Sequence, residues 1–216
     1  MSIAIDGPAG AGKSTIAMLL SNKYNLMYIN TGAMYRAVTL VALEKGITPD
    51  NNLELEKLIN EMDMKFVNNR LILNDKDIND EITTPYISNH VSNYAAVKVV
   101  REMLVKLQQI MAGKYDVIMD GRDIGSVVLK ESKHKFYLTA TAEERAKRRF
   151  EELNKKGVKI DYNDLLNDII KRDYIDTHRE LNPLTKCEDA TEIDTSNMDI
   201  NQVVECISNH VDNSEK

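Results

Sequence analysis

The sequence predicts an α/β fold, with a five-stranded parallel sheet covered by helices on both faces, an inserted lobe with a small antiparallel sheet, and a helical lid. Short apolar runs alternate with segments whose apolar residues recur at helical spacing, which is typical of a covered parallel sheet. A glycine-rich loop joins the first apolar run to the first helix. Short hydrophobic runs separated by asparagines at 66–78 interrupt the alternation and indicate the inserted lobe.

Each element of the sheet follows from a short apolar run. The predicted strands are Ser2 to Asp6, Met27 to Ile29, Tyr115 to Met119, Phe136 to Leu138 and Thr191 to Ile193. The predicted helices cover 13–24, 33–45, 53–62, 87–96, 99–111, 142–155, 162–179 and 201–210.

The inserted lobe is predicted from turn residues placed between hydrophobic pairs. Asn68-Asn69 and Asn74-Asp75 separate runs centred on Phe66, Ile72 and Ile78, which predicts a small antiparallel meander. We therefore expect one domain over 1–216, with a core at 1–61 and 113–216, the inserted lobe at about 62–112 and the lid at about 141–180.

Composition restricts the function classes. The chain has 216 residues, 43% hydrophobic content and a net charge of −6, which argues against broad binding to nucleic acid or to an anionic membrane. Cys187 and Cys206 lack CxxC spacing and are expected to be reduced thiols, and the four histidines show no zinc-ligand spacing. With no membrane-length apolar run and no room for a signal peptide before the first strand, we expect a cytoplasmic protein, with a monomer as the default.

The glycine-rich loop predicts a phosphate-binding site, because glycines let backbone N–H groups approach an oxyanion. Lys13 supplies a mobile charge for the outer phosphates, and the Ser14 hydroxyl is placed to bind Mg²⁺. The helix that starts at Lys13 directs its positive end at the same anion. The residues of this P-loop are Gly7, Pro8, Ala9, Gly10, Ala11, Gly12, Lys13, Ser14 and Thr15.

One later helix carries a stripe that changes from apolar to charged. Leu165, Ile169, Arg172, Asp176 and Arg179 follow at steps of three and four residues. Because unpaired buried charge is costly, this stripe predicts a helix that runs from the core into a polar cavity. The alternative is a self-contained surface set in which both arginines pair with Asp176.

Two further charged segments leave alternatives open. The helix with Arg145, Arg148 and Arg149 is either a solvated face, with Glu144 and Arg148 as an i,i+4 pair, or a mobile arginine lid over nucleotide phosphates. The segment Gly121–Gly125 follows a predicted strand at the sheet edge where ligands bind, or is only a tight turn.

A P-loop with several arginines and no nucleophile triad indicates transfer or hydrolysis of a nucleotide γ-phosphoryl group. A phosphate acceptor is already largely ionised near neutral pH, so it needs cations to overcome repulsion between two anions rather than a base. The planar, permanently charged side chains suited to this task are Arg36, Arg122, Arg172 and Arg179.

The order of these motifs resembles that of the bacterial cytidylate kinases. The resemblance covers nearly the whole chain and rests on Thr31–Ala37, the segment from Val91 to Arg101, Gly121–Gly125, and Arg172–Arg179 leading to Pro183-Leu184. It implies a P-loop nucleoside monophosphate kinase fold. It also implies the reaction of ATP and Mg²⁺ with CMP or dCMP to give ADP and CDP or dCDP.

The resemblance implies roles for individual residues around the acceptor. Thr31, Arg36 and Arg122 would lie at the acceptor nucleotide, with the two arginines on its phosphate. Ser92, Arg101 and Asp123 would surround the cytosine. Because Asp123 would accept from the cytosine 4-amino group, uracil would oppose it with a second acceptor.

The remaining implied roles concern the ribose and the transferred phosphate. Asp176 would hold the ribose hydroxyls, and Arg172 and Arg179 would reach the phosphates near the transfer point. Arg145 and Arg149 would act in the lid on the donor nucleotide.

Other functions compete with this interpretation. A kinase of the same architecture that acts on UMP, AMP or shikimate is the nearest alternative. A regulatory GTPase would need an Asn-Lys-x-Asp signature, which the sequence lacks. A non-catalytic nucleotide-binding module would lack Lys13, Ser14 or the arginine cluster, all of which are present.

Overall fold

The computed structural model describes residues 1–155 and 157–214. Its strands are β1 (Ser2–Asp6), β2 (Met27–Asn30), β3 (Met64–Val67), β4 (Arg70–Leu73), β5 (Lys76–Asp77), β6 (Val117–Gly121), β7 (His134–Thr139) and β8 (Thr191–Asp194). Its helices are α1 (Lys13–Tyr24), α2 (Thr31–Glu44), α3 (Asn52–Asn60), α4 (Asn79–Ile82), α5 (Pro85–Ala95), α6 (Lys98–Ala112), α7 (Ala142–Lys155), α8 (Tyr162–His178) and α9 (Ile200–Ser214).

The large sheet has five parallel strands in the order β2-β6-β1-β7-β8, which confirms the predicted fold class. β1 lies at the centre, and its last residue, Asp6, is in register with Gly121 of β6 and Tyr137 of β7. The carboxyl ends of these strands therefore meet at one edge, which is where ligands bind in open α/β sheets.

Alternating side chains of β1 divide the core between the two faces of the sheet. Ile3 and Ile5 pack into a hydrophobic cluster with buried residues of α1 and α9. Ala4 faces the opposite side, in a larger cluster that includes residues of α2, α3 and α6. Both faces are covered, as the apolar runs of the sequence predict.

The inserted segment forms its own small sheet, and helices α7 and α8 share their own hydrophobic cluster. β3, β4 and β5 form a three-stranded antiparallel sheet, which confirms the predicted meander. α7 and α8 pack together through a separate small cluster of Ala146, Leu153, Leu165 and Ile169. The division of the chain into core, lobe and lid stays a prediction.

Besides shifts of a few residues at the ends of elements, such as β7 and α9, the structure differs from the sequence prediction at three places. Ile78 is not in a strand, because the side-chain amide of Asn79 bonds to both backbone groups of Leu71 and α4 begins there. β6 starts at Val117 and not at Tyr115, whose side chain is exposed. The segment after β6 contains a π-helical turn, Ile124–Val128, that no local sequence pattern predicts.

Two further findings concern membrane spans and disulfides. Across 1–155 and 157–214, no helix has the length and apolar character needed to span a bilayer. Cys187 and Cys206 are free thiols, as their spacing predicts.

Candidate active site

The P-loop lies between β1 and α1 at the carboxyl edge of the sheet. Gly7 has a φ of 143°, and a Cβ there would collide with the carbonyl oxygen of Leu138 on β7, so only glycine lets the chain turn this close to the sheet. Gly12 is the N-cap of α1 and provides no capping side chain. The first amides of α1 are therefore directed at the loop's concavity, where an anion is stabilised.

Lys13 is a buried cation at the base of this loop. Its side chain is 5% exposed, and Nζ donates to the carbonyl oxygen of Pro8 over 2.7 Å. Burial lowers the pKa of Lys13, and the nearby Arg122 lowers it further, while Asp120 partly opposes both. Because burial and Arg122 both disfavour the charged form of Lys13, an anion that binds beside it would be stabilised by the opposite charge.

Ser14 and Asp120 bring two hard oxygen donors together beside the loop. Ser14 Oγ donates to Asp120 Oδ2 over 2.8 Å, and the Tyr28 hydroxyl donates to Asp120 Oδ1 over 2.8 Å. Burial is the main reason that the pKa of Tyr28 is raised, so the tyrosine remains a donor that fixes the carboxylate. Mg²⁺ in phosphate-transfer sites keeps waters and substrate oxygens and needs only one or two protein oxygens, so these residues fit it. Among the described residues, no group of three or more His, Cys, Asp or Glu side chains could hold a metal by itself.

Three arginines from separate elements crowd the same cleft. Arg36 of α2 donates to the Ile82 carbonyl oxygen over 3.2 Å and to Ser88 Oγ over 2.8 Å. Burial lowers its pKa, and so do the charges of Arg172 and Arg122. Burial and Arg122 likewise lower the pKa of Arg172, whose Nε is buried without a hydrogen-bond partner. The cations destabilise one another, and a bound phosphate would relieve that repulsion.

The charged end of α8 reaches into this cavity, as its stripe predicts. Asp176 is 4% exposed and accepts from Arg122 Nε over 2.8 Å. Although burial opposes it, Arg122 and Arg172 hold the pKa of Asp176 below its ordinary value. The alternative of a self-contained surface set is wrong, because the nearest partner of Asp176 comes from another element and Arg179 is 3.9 Å away.

A small pocket beside the arginines is built around Asp123. Arg101 Nη2 donates to Asp123 Oδ2 over 2.5 Å, and Arg179 Nη2 lies 3.6 Å from Asp123 Oδ1. Four buried polar atoms on the residues of this pocket have no hydrogen-bond partner, namely Ser92 Oγ, Arg101 Nε, the Tyr35 hydroxyl and Arg172 Nε. Since orphaned buried polar groups are costly, they indicate that the pocket is completed by a polar guest.

The turn Gly121–Gly125 is therefore not an exposed surface turn. Asp123 is 4% exposed, and Arg122 and Asp123 direct their side chains to two neighbouring parts of the same site. Thr31 fixes the strand end before this turn, because its Oγ1 donates to the Asp120 carbonyl oxygen over 2.7 Å.

The arginines of α7 have three different surroundings. Arg145 is buried and donates to the Ala9 carbonyl oxygen of the P-loop over 3.0 Å and to Asp173 of α8 over 2.6 Å. Arg148 donates to the backbone and side chain of Thr195, so the expected pair with Glu144 is not the contact it makes. Arg149 lines the cleft and donates to Glu152 over 2.7 Å. The helix is thus neither a fully solvated face nor a set of free arginines.

Sequence reasoning did not identify Tyr35 or Asp6 as site residues. Tyr35 lines the Asp123 pocket, and the Arg101 guanidinium lies 5.3 Å from its ring centroid. Asp6 is a buried carboxylate at the end of β1, directly before the P-loop. An acid at the carboxyl end of a central strand was the available signal for Asp6.

The arginines that face the P-loop across this cleft suit the alignment of two anions, which is the task of a phosphotransferase. The family model for cytidylate kinase matches residues 3–213. A cytidylate kinase of Clostridium acetobutylicum is 59% identical over 211 residues, covering 98% of this chain and 97% of the relative. One of Clostridium perfringens is 58% identical over 212 residues, covering 98% of each.

The chain therefore belongs to the cytidylate kinase family and is a nucleoside monophosphate kinase that uses ATP. Among solved structures, an uncharacterized protein of Eubacterium ventriosum aligns over 99% of this chain and 98% of its own, with a TM-score of 0.54 and 15% identity. That likeness concerns the fold alone.

Proposed function

We propose that this enzyme transfers the γ-phosphoryl group of ATP to CMP or dCMP, with the P-loop on the donor and the Asp123 pocket on the cytosine. The observation that carries the proposal is the pairing of Arg101 with Asp123 in a buried pocket next to Arg122 and Arg172. A pocket with an ionised carboxylate suits the 4-amino group of cytosine, and the neighbouring cations suit a phosphate.

The donor phosphates would lie in the P-loop, held by the amides of 7–15 and by Lys13. Nζ of Lys13 would leave the Pro8 carbonyl for the outer phosphates, because an anion gives the buried ammonium a counter-charge that opposes the effects of burial and of Arg122 on its pKa. Ser14 and Asp120 would hold Mg²⁺, which supplies charge neutralisation on the donor phosphates when bound.

The acceptor phosphate would be held by Arg36, Arg122 and Arg172. Its second pKa near 6 leaves it largely ionised at neutral pH, so the arginines need only align it and offset its repulsion with the donor. Asp176 would accept from the ribose hydroxyls while it orients Arg122 through their 2.8 Å contact. No general base is required for this step.

Arg179 and Arg145 receive roles different from those that the sequence suggested. Arg179 is buried beside Asp123 and donates twice to the Asn182 carbonyl oxygen, so we assign it to orienting the base-recognition carboxylate rather than to the phosphates. Arg145 would support the P-loop from α7, and Arg149 would be the lid arginine nearest the donor phosphates.

A substrate panel tests the proposed function. We expect ADP release with CMP and dCMP to exceed release with UMP by at least about a hundredfold in kcat/KM, because a site built to bind the amino group rejects an analogue that lacks it. We expect AMP, GMP and shikimate to be poorer substrates than CMP as well. A preference for AMP, UMP or shikimate would contradict it. The proposed site is assembled within one chain and needs no residue of a second copy, and we propose a monomer that acts in the cytoplasm.

Replacing Ser14 with alanine tests the proposed Mg²⁺ ligand. We expect the free Mg²⁺ concentration for half-maximal rate to rise about tenfold or more, because one of few protein oxygens at the ion is lost. Ser21→Ala is the matched control, since Ser21 lies on the same helix and donates to the Met18 carbonyl oxygen away from the cleft. Equal Mg²⁺ curves for the two variants would remove Ser14 from the proposed site.

A further inference from the structure

Asp6 is a buried carboxylate that joins two parts of the molecule far apart in sequence. It ends β1 and directly precedes the P-loop, and it is 4% exposed. Oδ1 accepts from the Ile124 amide and Oδ2 from the Gly125 amide, each over 2.8 Å. Both oxygens are therefore used on consecutive backbone donors of another segment.

Those two amides begin the π-helical turn that follows the residues of the acceptor site. The N-cap of the turn is Asp123, whose own side chain makes no capping hydrogen bond. An aspartate at an N-cap ordinarily accepts with its carboxylate from the amide of the second or third residue that follows, which here includes Gly125. Here Asp6 takes that task, and the Asp123 carboxylate is left for Arg101 and the base pocket.

We propose that Asp6 is a positioning residue for nucleobase recognition, which caps the Ile124–Val128 turn from a neighbouring strand and thereby releases the Asp123 carboxylate into the acceptor pocket. The inference rests on the proposed role of Asp123 at the cytosine. It adds a residue that contacts neither nucleotide and acts through the turn.

The charge state of Asp6 agrees with this role. Burial raises the pKa of Asp6 to about 6, while the hydrogen bonds from Gly125 and Ile124 oppose the rise. The carboxyl is mostly ionised at neutral pH, so both oxygens can accept. The charges of Asp123 and Lys13 also act on it, with opposite effects.

The turn packs closely against its neighbours at Gly125. A Cβ added at Gly125 would lie 3.2 Å from Lys135 Cδ, 3.3 Å from Cys187 Sγ and 3.4 Å from Asp6 Oδ2. A side chain at 125 must therefore move at least one of these neighbours by a few tenths of an ångström. The contact between the turn and β1 is consequently sensitive to change from either side.

The test replaces Asp6 with asparagine, which keeps the size but offers a donor where one amide needs an acceptor. We expect KM for CMP to rise about tenfold and the CMP-over-UMP ratio of kcat/KM to fall by a similar factor. The reason is that one buried amide of the turn loses its acceptor and then competes for the Asp123 carboxylate. KM for ATP should change less than about threefold, since the P-loop amides are untouched.

Ser132→Ala is the matched control for a purely structural effect. Ser132 is also buried and also ties β1 to the segment after the turn, but its Oγ donates to the Ser2 carbonyl oxygen at the far end of the strand. We expect this variant to lower stability without changing the CMP-over-UMP ratio. If Asp6→Asn leaves the ratio and KM for CMP unchanged, or if both variants shift them equally, the inference is wrong.

A second variant keeps the test decisive if Asp6→Asn does not fold. Gly125→Ala retains both amides and the carboxylate, but its Cβ would lie 3.2 Å from Lys135 Cδ and 3.3 Å from Cys187 Sγ. Where these neighbours do not yield, the Gly125 amide shifts relative to Asp6, so we expect the same loss of discrimination in smaller measure. An unchanged ratio in Gly125→Ala would then overturn the inference. Failure of the underlying function is distinguishable, because in that case replacing Asp123 itself would leave base preference intact.

Discussion

Replacing Lys13 with alanine is expected to lower kcat by about a hundred- to a thousandfold while the fold is retained. Phosphoryl transfer depends on preorganised cations at the developing charge, and losing one such donor costs this much in comparable sites. Lys13 is the buried cation of the P-loop, held 2.7 Å from the Pro8 carbonyl oxygen. Steady-state rates at saturating ATP and CMP measure the effect.

The expected retention of the fold follows from the electrostatics of Lys13. Burial and Arg122 lower its pKa, so the charged side chain does not stabilise the folded protein in the absence of nucleotide, and its removal at neutral pH should leave Tm nearly unchanged. Lys23→Ala is the matched control, because Lys23 lies in the last turn of the same helix and is exposed. A Lys13 variant with more than about a tenth of the parent kcat would remove Lys13 from the proposed chemistry.

The phosphate-binding side of the site could be predicted from the sequence because its parts are local. The glycines, Lys13 and Ser14 lie within nine consecutive residues, and the strand before them and the helix after them follow from periodicity. The charged stripe of α8 could likewise be predicted, since helical spacing alone puts Arg172 and Asp176 on one face.

Local sequence patterns do not predict the base pocket, and its residues are predicted only by the family resemblance. Arg101 and Asp123 are 22 positions apart and meet only because α6 packs beside the Ile124–Val128 turn. Ser92 and Tyr35 come from two further helices. No spacing rule brings these four side chains into one cavity.

Arg145 and Asp6 show the physical limit most clearly. Arg145 was expected as a lid arginine, but α8 approaches closely enough for Asp173, 28 positions away, to pair with it beneath the P-loop. In the sequence, Asp6 is only the polar residue at the end of a strand, and the two amides that bond to it are 118 and 119 positions away. In both cases the role depends on which distant segment packs beside the side chain, and the neighbouring sequence does not indicate that segment.

Replacing Asp123 with asparagine is expected to reduce the CMP-over-UMP ratio of kcat/KM by at least about a hundredfold. An ionised aspartate only accepts hydrogen bonds, so it suits the cytosine 4-amino group and repels the uracil 4-carbonyl oxygen. An asparagine can donate to that oxygen, so UMP should gain while CMP loses. Competition between the two substrates in one reaction, with CDP and UDP separated by chromatography, measures the ratio directly.

The ratio is the decisive quantity because the variant will also be less stable. Asparagine leaves Arg101 and Arg179 buried without their carboxylate, which destabilises the folded state. Both substrates sample the same folded population, however, so instability cancels in the ratio. Asp176→Asn is the matched control, since it neutralises another buried carboxylate paired with an arginine, Arg122, and should slow both substrates without changing their ratio. If Asp176→Asn changed base preference as much as Asp123→Asn, recognition of cytosine would have to be reassigned from the Asp123 carboxylate to the arginine network as a whole.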